Sequence, residues 1–203
     1  MPCFERPQRT IRALESVLAQ DFNGWEAYFV GDGCHTFQKN CDNGVFKPYQ
    51  EQAEKFGNKL HIYNLEEHHG GWGYNVRNHI FQKANSEYLL FLDNDDVLKP
   101  NHFENYYTSI KYTDLDFAYF DTCIEPLNEP RKAELMFGRI GHHEIIIKTE
   151  FLKKIPPQLS HYGHDWTLIE NLIRNKAKHA KISNRPQTYI VKALGDFRED
   201  TLN

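Results

Sequence analysis

Along the first half of the chain the apolar positions alternate between two spacings, which predicts strands interleaved with helices. Ile11, Leu14, Val17 and Leu18 fall on one face of a helix over 7–20, and Pro7 suits its first turn. Residues 26–30 read as a strand that stops at Gly31-Asp32-Gly33. The stretch 35–44 is polar and reads as irregular, 46–56 carries a modest helical pattern, and 59–65 reads as a second strand. After Gly70-Gly71-Trp72-Gly73, the residues Val76, Ile80, Phe81 and Ala84 repeat at helical spacing. Tyr88-Leu89-Leu90-Phe91-Leu92 is a short continuous apolar run of the buried-strand type.

Beyond Pro100, which suits a helix start, Phe103, Tyr107 and Ile110 share a face, and 117–123 reads as one further strand. Residues 125–131, with Pro126 and Pro130, read as a loop; 144–147 as a strand, 165–174 as a helix and 188–191 as a last strand. Such alternation belongs to an α/β domain with a mainly parallel, Rossmann-like central sheet flanked by helices. Only Met1 to Phe4 precede the first helix, so the opening strand is either very short or continued by residues upstream of Met1.

With 203 residues, 40% of them hydrophobic, the chain has enough apolar surface for one core and not for two comfortable domains. A single domain over 1–203 is expected, with a nucleotide-binding half to about residue 100 and an acceptor-binding half after it. The formal charge of −4 comes from interspersed acids and bases, so no basic block marks a nucleic-acid partner. No apolar run reaches the roughly 18 residues of a membrane span, and a soluble, cytoplasmic protein is expected. Cys3, Cys34, Cys41 and Cys123 lack paired zinc-type spacing and read as reduced thiols. The doublets His68-His69 and His142-His143 lack the i, i+4 spacing of helix-borne metal ligands, and ordinary packing is the favoured reading for both.

The densest candidate chemistry is Asp93-Asn94-Asp95-Asp96, directly after the buried run. Ligands of open α/β sheets bind at that carboxyl edge. Neighbouring carboxylates repel, and a hard divalent cation such as Mn²⁺ or Mg²⁺ relieves the repulsion while keeping positions for substrate phosphate. A solvated acidic turn capping the next helix is an equal alternative on these residues alone.

Phe91 to Pro100 closely resembles the D-x-D segment of the family 2 glycosyltransferases, and four more segments follow in that family's order. Pro2-Cys3-Phe4-Glu5-Arg6-Pro7 with the helix behind it resembles the opening loop beside the nucleoside. Trp25-Glu26 through Asp32-Gly33 resembles the second strand, and Gly73 to Asn78, with Arg77-Asn78, the R-N helix. Tyr162-Gly163-His164-Asp165 resembles the late E-D element that carries the catalytic base. Glu5 stands where Asn is frequent and His164 where Glu is frequent, and Leu194-Gly195-Asp196 lacks a His frequent in the closing loop.

The resemblance implies a GT-A fold and transfer of a sugar from a nucleotide diphosphate, most commonly UDP, to a hydroxyl on a glycan or glycoconjugate, with inversion. It implies donor contacts from Pro2, Phe4, Glu5, Arg6, Asp32, Arg77, Asp93 and Asn94. Asp32 would accept from the base imide, Asp95 and Asp93 would hold Mn²⁺ or Mg²⁺, and Asp96 would cap the following helix. Arg77 would pair with diphosphate or with one of the acids. Asp165 would be the general base; as an alternative, it would cap its helix. Trp72, Tyr162, His143, His164 and Trp166 are candidates for the acceptor side. Two rival readings stand beside this one: a sugar nucleotidyltransferase, disfavoured because no glycine-and-lysine phosphate loop precedes Asp32, and a non-catalytic binding module of the same fold.

Overall fold

The structure, a computed structural model, describes residues 1–125, 129–155, 163–183 and 188–192. Its strands are β1 (Pro2–Cys3), β2 (Glu26–Gly31), β3 (Lys59–Asn64), β4 (Tyr88–Leu90), β5 (Val97–Leu98), β6 (Phe117–Phe120), β7 (Thr122–Glu125), β8 (Glu129–Arg131), β9 (Ile145–Lys148), β10 (His179–Ile182) and β11 (Tyr189–Lys192). Its α-helices are α1 (Pro7–Leu18), α2 (His35–Asp42), α3 (Lys47–Lys55), α4 (Tyr74–Phe81), α5 (His102–Ile110), α6 (Thr149–Leu152) and α7 (His164–Arg174).

The first three strands form a wholly parallel ladder, β1-β2-β3, in which Val30 lies opposite both Pro2 and Tyr63. The later strands mix directions. In the order β10-β6-β9-β4, only the β10–β6 pairing is parallel, and in β5-β11-β7-β8 only β11–β7 is. Strands from before residue 100 therefore pair with strands from after it: β4 with β9 and β5 with β11.

Alternation along β9 explains why this sheet is buried on both sides. Ile146 packs into the main core with Leu14, Phe29, Leu60 and Phe120, while Ile145 and Ile147 face a second core built on α7 through Leu168, Ile169 and Leu172. Successive strand side chains point to opposite faces, so an uninterrupted Ile-Ile-Ile serves two cores at once. β6 does the same, with Phe117 in the second core and Ala118 and Phe120 in the first. A two-sided sheet of this kind fixes the direction of Leu92-Asp93 as it leaves β4.

Several expectations are corrected. The polar stretch 35–44 contains α2, held by the one buried residue Phe37, which gives no periodicity to read. The strand expected over 117–123 is two strands in different sheets, separated at Asp121. In the expected loop 125–131, residues 129–131 form β8 against β7. Strands at Val97–Leu98 and His179–Ile182 and the short α6 were not foreseen. The cysteines are all free. No helix among the described residues is long and apolar enough to cross a membrane.

Candidate active site

A cleft of about 840 Å³ opens over the carboxyl ends of β1, β2 and β4. Of the residues singled out from sequence it takes in Pro2, Phe4, Glu5, Arg6, Asp32, Trp72, Arg77, Asp93, Asn94, Asp95, His164, Asp165 and Trp166. His143 sits behind its wall and is buried. Tyr162 and residues 194–196 lie outside the described residues.

The floor is set by backbone constraints near the start of the chain. Glu5 and Arg6 both have left-handed φ, 50° and 53°, which is uncommon for side-chain-bearing residues. The double turn directs the Arg6 guanidinium to Asp95, with Nη1 2.6 Å from Oδ2, while Arg9 Nη1 lies 3.9 Å from the same oxygen. Gly73, at φ 78°, allows Pro2 to pack where a Cβ would stand 2.6 Å from the proline ring. Pro2 and Arg77 thereby meet at the start of α4, and Arg77 donates to the Trp72 carbonyl and to Asp93. Trp72 itself is 72% exposed at the rim.

Asp32 ends β2 with its side chain buried. The carboxylate accepts the backbone N–H of His69 at 2.8 Å and of Gly70 at 2.9 Å, and His68 Nδ1 lies 3.1 Å away. It therefore orders the loop leading to Trp72, and Phe4 packs on His68 with ring centroids 4.6 Å apart and planes tilted by 36°.

Asp93 and Asp165 face each other across His142. His142 Nδ1 pairs with Asp165 Oδ1, and its Nε2 lies 3.1 Å from Asp93 Oδ1. Burial opposes charge on Asp93, but His142 and Arg77 outweigh it and hold the carboxyl well below its ordinary range. Burial likewise opposes charge on Asp165, and His142 and His164 overcome it. His164 Nε2 lies 3.0 Å from Asp165 Oδ1. For His142, burial and Arg77 work against protonation, yet the two carboxylates raise its pKa. His143 goes the other way: burial pushes it down to about 3, so it is a neutral imidazole, accepting from Arg131 Nη1 at 3.0 Å through Nε2.

Asp165 is not the cap of its helix. Gly163 takes the N-cap position of α7, and Asp165 lies in the first turn with its carboxylate turned to the two histidines. Asp96, expected to cap the next helix, is buried and accepts from Tyr189 Oη at 2.9 Å; Tyr189 Oη in turn accepts from the Asp93 N–H at 3.1 Å.

Four further residues complete the site. Glu144, fully buried, accepts from the Gly141 N–H at 2.8 Å and from Thr122 Oγ1 at 3.2 Å, locking the turn that carries His142 and His143. Tyr189 ties β11 to both ends of the acidic turn. Arg131 fixes His143, and His142 joins Asp93 to Asp165. Apart from Gly141 and Glu144, three positions apart, these pairs lie 12 to 96 positions apart, so only the adjacency of His142 and His143 after a glycine was visible as a signal.

Residues 1–171 match the family model described as glycosyl transferase family 2. WcaA of Escherichia coli (strain K12), assigned as a colanic acid biosynthesis glycosyl transferase, is 32% identical over 101 residues, 50% of this chain and 33% of that protein. TuaG of Bacillus subtilis (strain 168), assigned as a teichuronic acid biosynthesis glycosyltransferase, is 31% identical over 91 residues, 45% of this chain and 32% of that one. The matches thus span about a third of those relatives' length. Among solved structures, S. aureus TarS 1-349 in complex with UDP superposes with TM-score 0.72 at 17% identity, covering 95% of this chain and 59% of that one. The mannosyltransferase PcManGT from Pyrobaculum calidifontis, in complex with GDP-Man and Mn²⁺, gives TM-score 0.67 at 12% identity, covering 98% and 56%. These likenesses show the GT-A fold.

Proposed function

The chain belongs to glycosyl transferase family 2, and from that premise we propose that it transfers a sugar from a nucleotide diphosphate donor, UDP-linked, to a hydroxyl of a glycan or glycoconjugate, with inversion. The observation that carries the reading is one cleft that joins Asp32, the Asp93 to Asp95 turn and Asp165. A solved structure of TarS with UDP-GlcNAc, likewise at TM-score 0.72 and 18% identity, supports the choice of donor class.

The residues present fit a divalent cation at the acidic turn. Asp93 and Asp95 present carboxylates from one turn into the cleft, and ligand atoms of Asp93, His142 and His143 lie within 4.8 Å of one another. Asp95 and Asp93 would hold Mn²⁺ or Mg²⁺. When bound, the ion neutralises charge developing on the departing nucleotide diphosphate. Arg6 now neutralises Asp95 and competes for the same oxygen.

The chain's own groups divide the remaining work. Asp32 and the loop it orders receive the base, with Phe4 supplying a flat apolar contact. Arg77 keeps Asp93 ionised beside the ribose. Asp165 accepts the acceptor's hydroxyl proton at Oδ1 or Oδ2 while that oxygen attacks the anomeric carbon from the side opposite the nucleotide. Trp72, exposed at the rim, and Trp166, half-buried in the wall, offer ring faces to the acceptor. With Mn²⁺ and a panel of UDP-sugars, the purified protein should release UDP in the presence of acceptor, or slowly by hydrolysis. Release of pyrophosphate from a sugar phosphate and UTP would point instead to a nucleotidyltransferase.

A further inference from the structure

The acceptor end of the cleft holds a ligand set different from the one at Asp95. His142, His164 and Asp165 each bring one ligand atom to within 4.8 Å of the others. Both ring nitrogens approach one carboxylate oxygen, His164 from 3.0 Å. The two imidazoles are nearly parallel, with planes 25° apart and centroids separated by 6.1 Å. Two nitrogens directed at one carboxylate oxygen act either as N–H donors or, with those protons displaced, as ligands to a cation held between them and the oxygen.

Three further observations favour a cation of the zinc type. Two imidazoles and one carboxylate make a nitrogen-rich set, which suits borderline-soft metals over Mg²⁺. The ring nitrogen of His142 that would not bind metal lies 3.1 Å from Asp93 Oδ1. A ring N–H donated to a carboxylate is the outer partner that metal-binding histidines usually have, because it fixes the tautomer and the ring direction. Asp165 is also 31% exposed toward the cleft, so three protein ligands leave a position open, as in sites that keep water or substrate on zinc.

We infer that His142, His164 and Asp165 form a binding site for Zn²⁺ or Co²⁺, distinct from the hard-cation site at Asp93 and Asp95. Its occupation takes the oxygen lone pairs that would accept the acceptor's proton, so the bound metal inhibits transfer. The binding stands on geometry alone; the inhibition rests on the proposed role of Asp165.

The test is titration of the purified protein with Co²⁺ in the absence of nucleotide. Visible ligand-field bands should grow to one equivalent, disappear on adding Zn²⁺ and persist in excess Mg²⁺. His164→Gln and Asp165→Asn should each weaken Co²⁺ binding by about 100-fold, at least what loss of an outer partner costs, while circular dichroism shows both folded. Asp95→Asn should leave the Co²⁺ spectrum unchanged. Unaltered Co²⁺ affinity in both folded cleft variants, or its loss in Asp95→Asn, would overturn the site. In the wild type, Zn²⁺ should slow transfer at the concentration at which it displaces Co²⁺. Full activity of the zinc-loaded protein would leave the site standing and remove Asp165 from its role as base.

Discussion

His142 pairs through Nδ1 with Asp165, joining the first turn of α7 to the short 3₁₀ turn that precedes β9. The same ring reaches Asp93 at 3.1 Å, so one imidazole sets the spacing between the acidic turn after β4 and the proposed base. Their mutual charge keeps both carboxylates ionised and the imidazole protonated more readily than an isolated histidine. Burial of the pair is possible because Glu144 and Gly141 hold the turn without side-chain bulk: a Cβ on Gly141 would stand 2.6 Å from the His143 ring and 3.4 Å from Asp165 Oδ2.

Gly141→Ala should therefore be costly although its φ of −111° is ordinary. Overpacking of this kind costs about 1–3 kcal/mol, which urea unfolding should show together with slowed transfer. A variant of unchanged stability and rate would mean that the turn has room to shift.

Asp95→Asn should keep the fold and sharply weaken Mn²⁺-dependent donor binding, because an amide is a poorer ligand for a hard cation. Calorimetry with UDP-sugar, with and without Mn²⁺, reads the effect. Equal metal-dependent affinity in the two proteins would remove Asp95 from the metal site.

Asp32→Ala should weaken UDP and UDP-sugar binding alike, since the base is common to both. The His69 and Gly70 N–H groups would lose their acceptor, which loosens the loop that Asp32 orders. A defect confined to acceptor use, with donor affinity intact, would place Asp32 outside the nucleoside pocket.

His102 supplies the clearest pH signature. Burial lowers its pKa to about 3, while an unfolded histidine titrates near 6.5. The unfolded chain then binds a proton that the folded chain refuses, so stability is constant above about 6.5 and falls as pH drops toward about 3. Between pH 7 and 5 the loss is about 2 kcal/mol, at about 1.4 kcal/mol per pH unit below 6.5. His102→Gln keeps a hydrogen-bonding partner for Thr188 and should flatten this part of the profile. Parallel urea titrations of the two proteins with the same slope would show that His102 is protonated in the native state.

Much of the first half was legible because its signals are local. The strand of 26–30 and the apolar run of 88–92 run directly into Asp32 and into Asp93 to Asp95, so the place of these residues at the cleft could be read from sequence alone. The opposite wall depends on contacts between distant segments. His142 meets Asp93 across 49 positions and Tyr189 meets Asp96 across 93, and no spacing rule reaches that far. The split at Asp121 was equally silent, because the apolar pattern of 117–123 runs on while the chain leaves one sheet for another.

Asp165 as the base of a single displacement is the central claim, and single-turnover transfer by Asp165→Asn alongside its donor affinity tests it most directly. A group needed for proton abstraction contributes to the transition state far more than to donor binding. The variant should bind Mn²⁺ and UDP-sugar as the wild type does, with transfer slowed by about 10²-fold or more, and the wild-type product should have inverted anomeric configuration. Near-normal transfer by the folded Asn variant, or a product of retained configuration, would contradict the account.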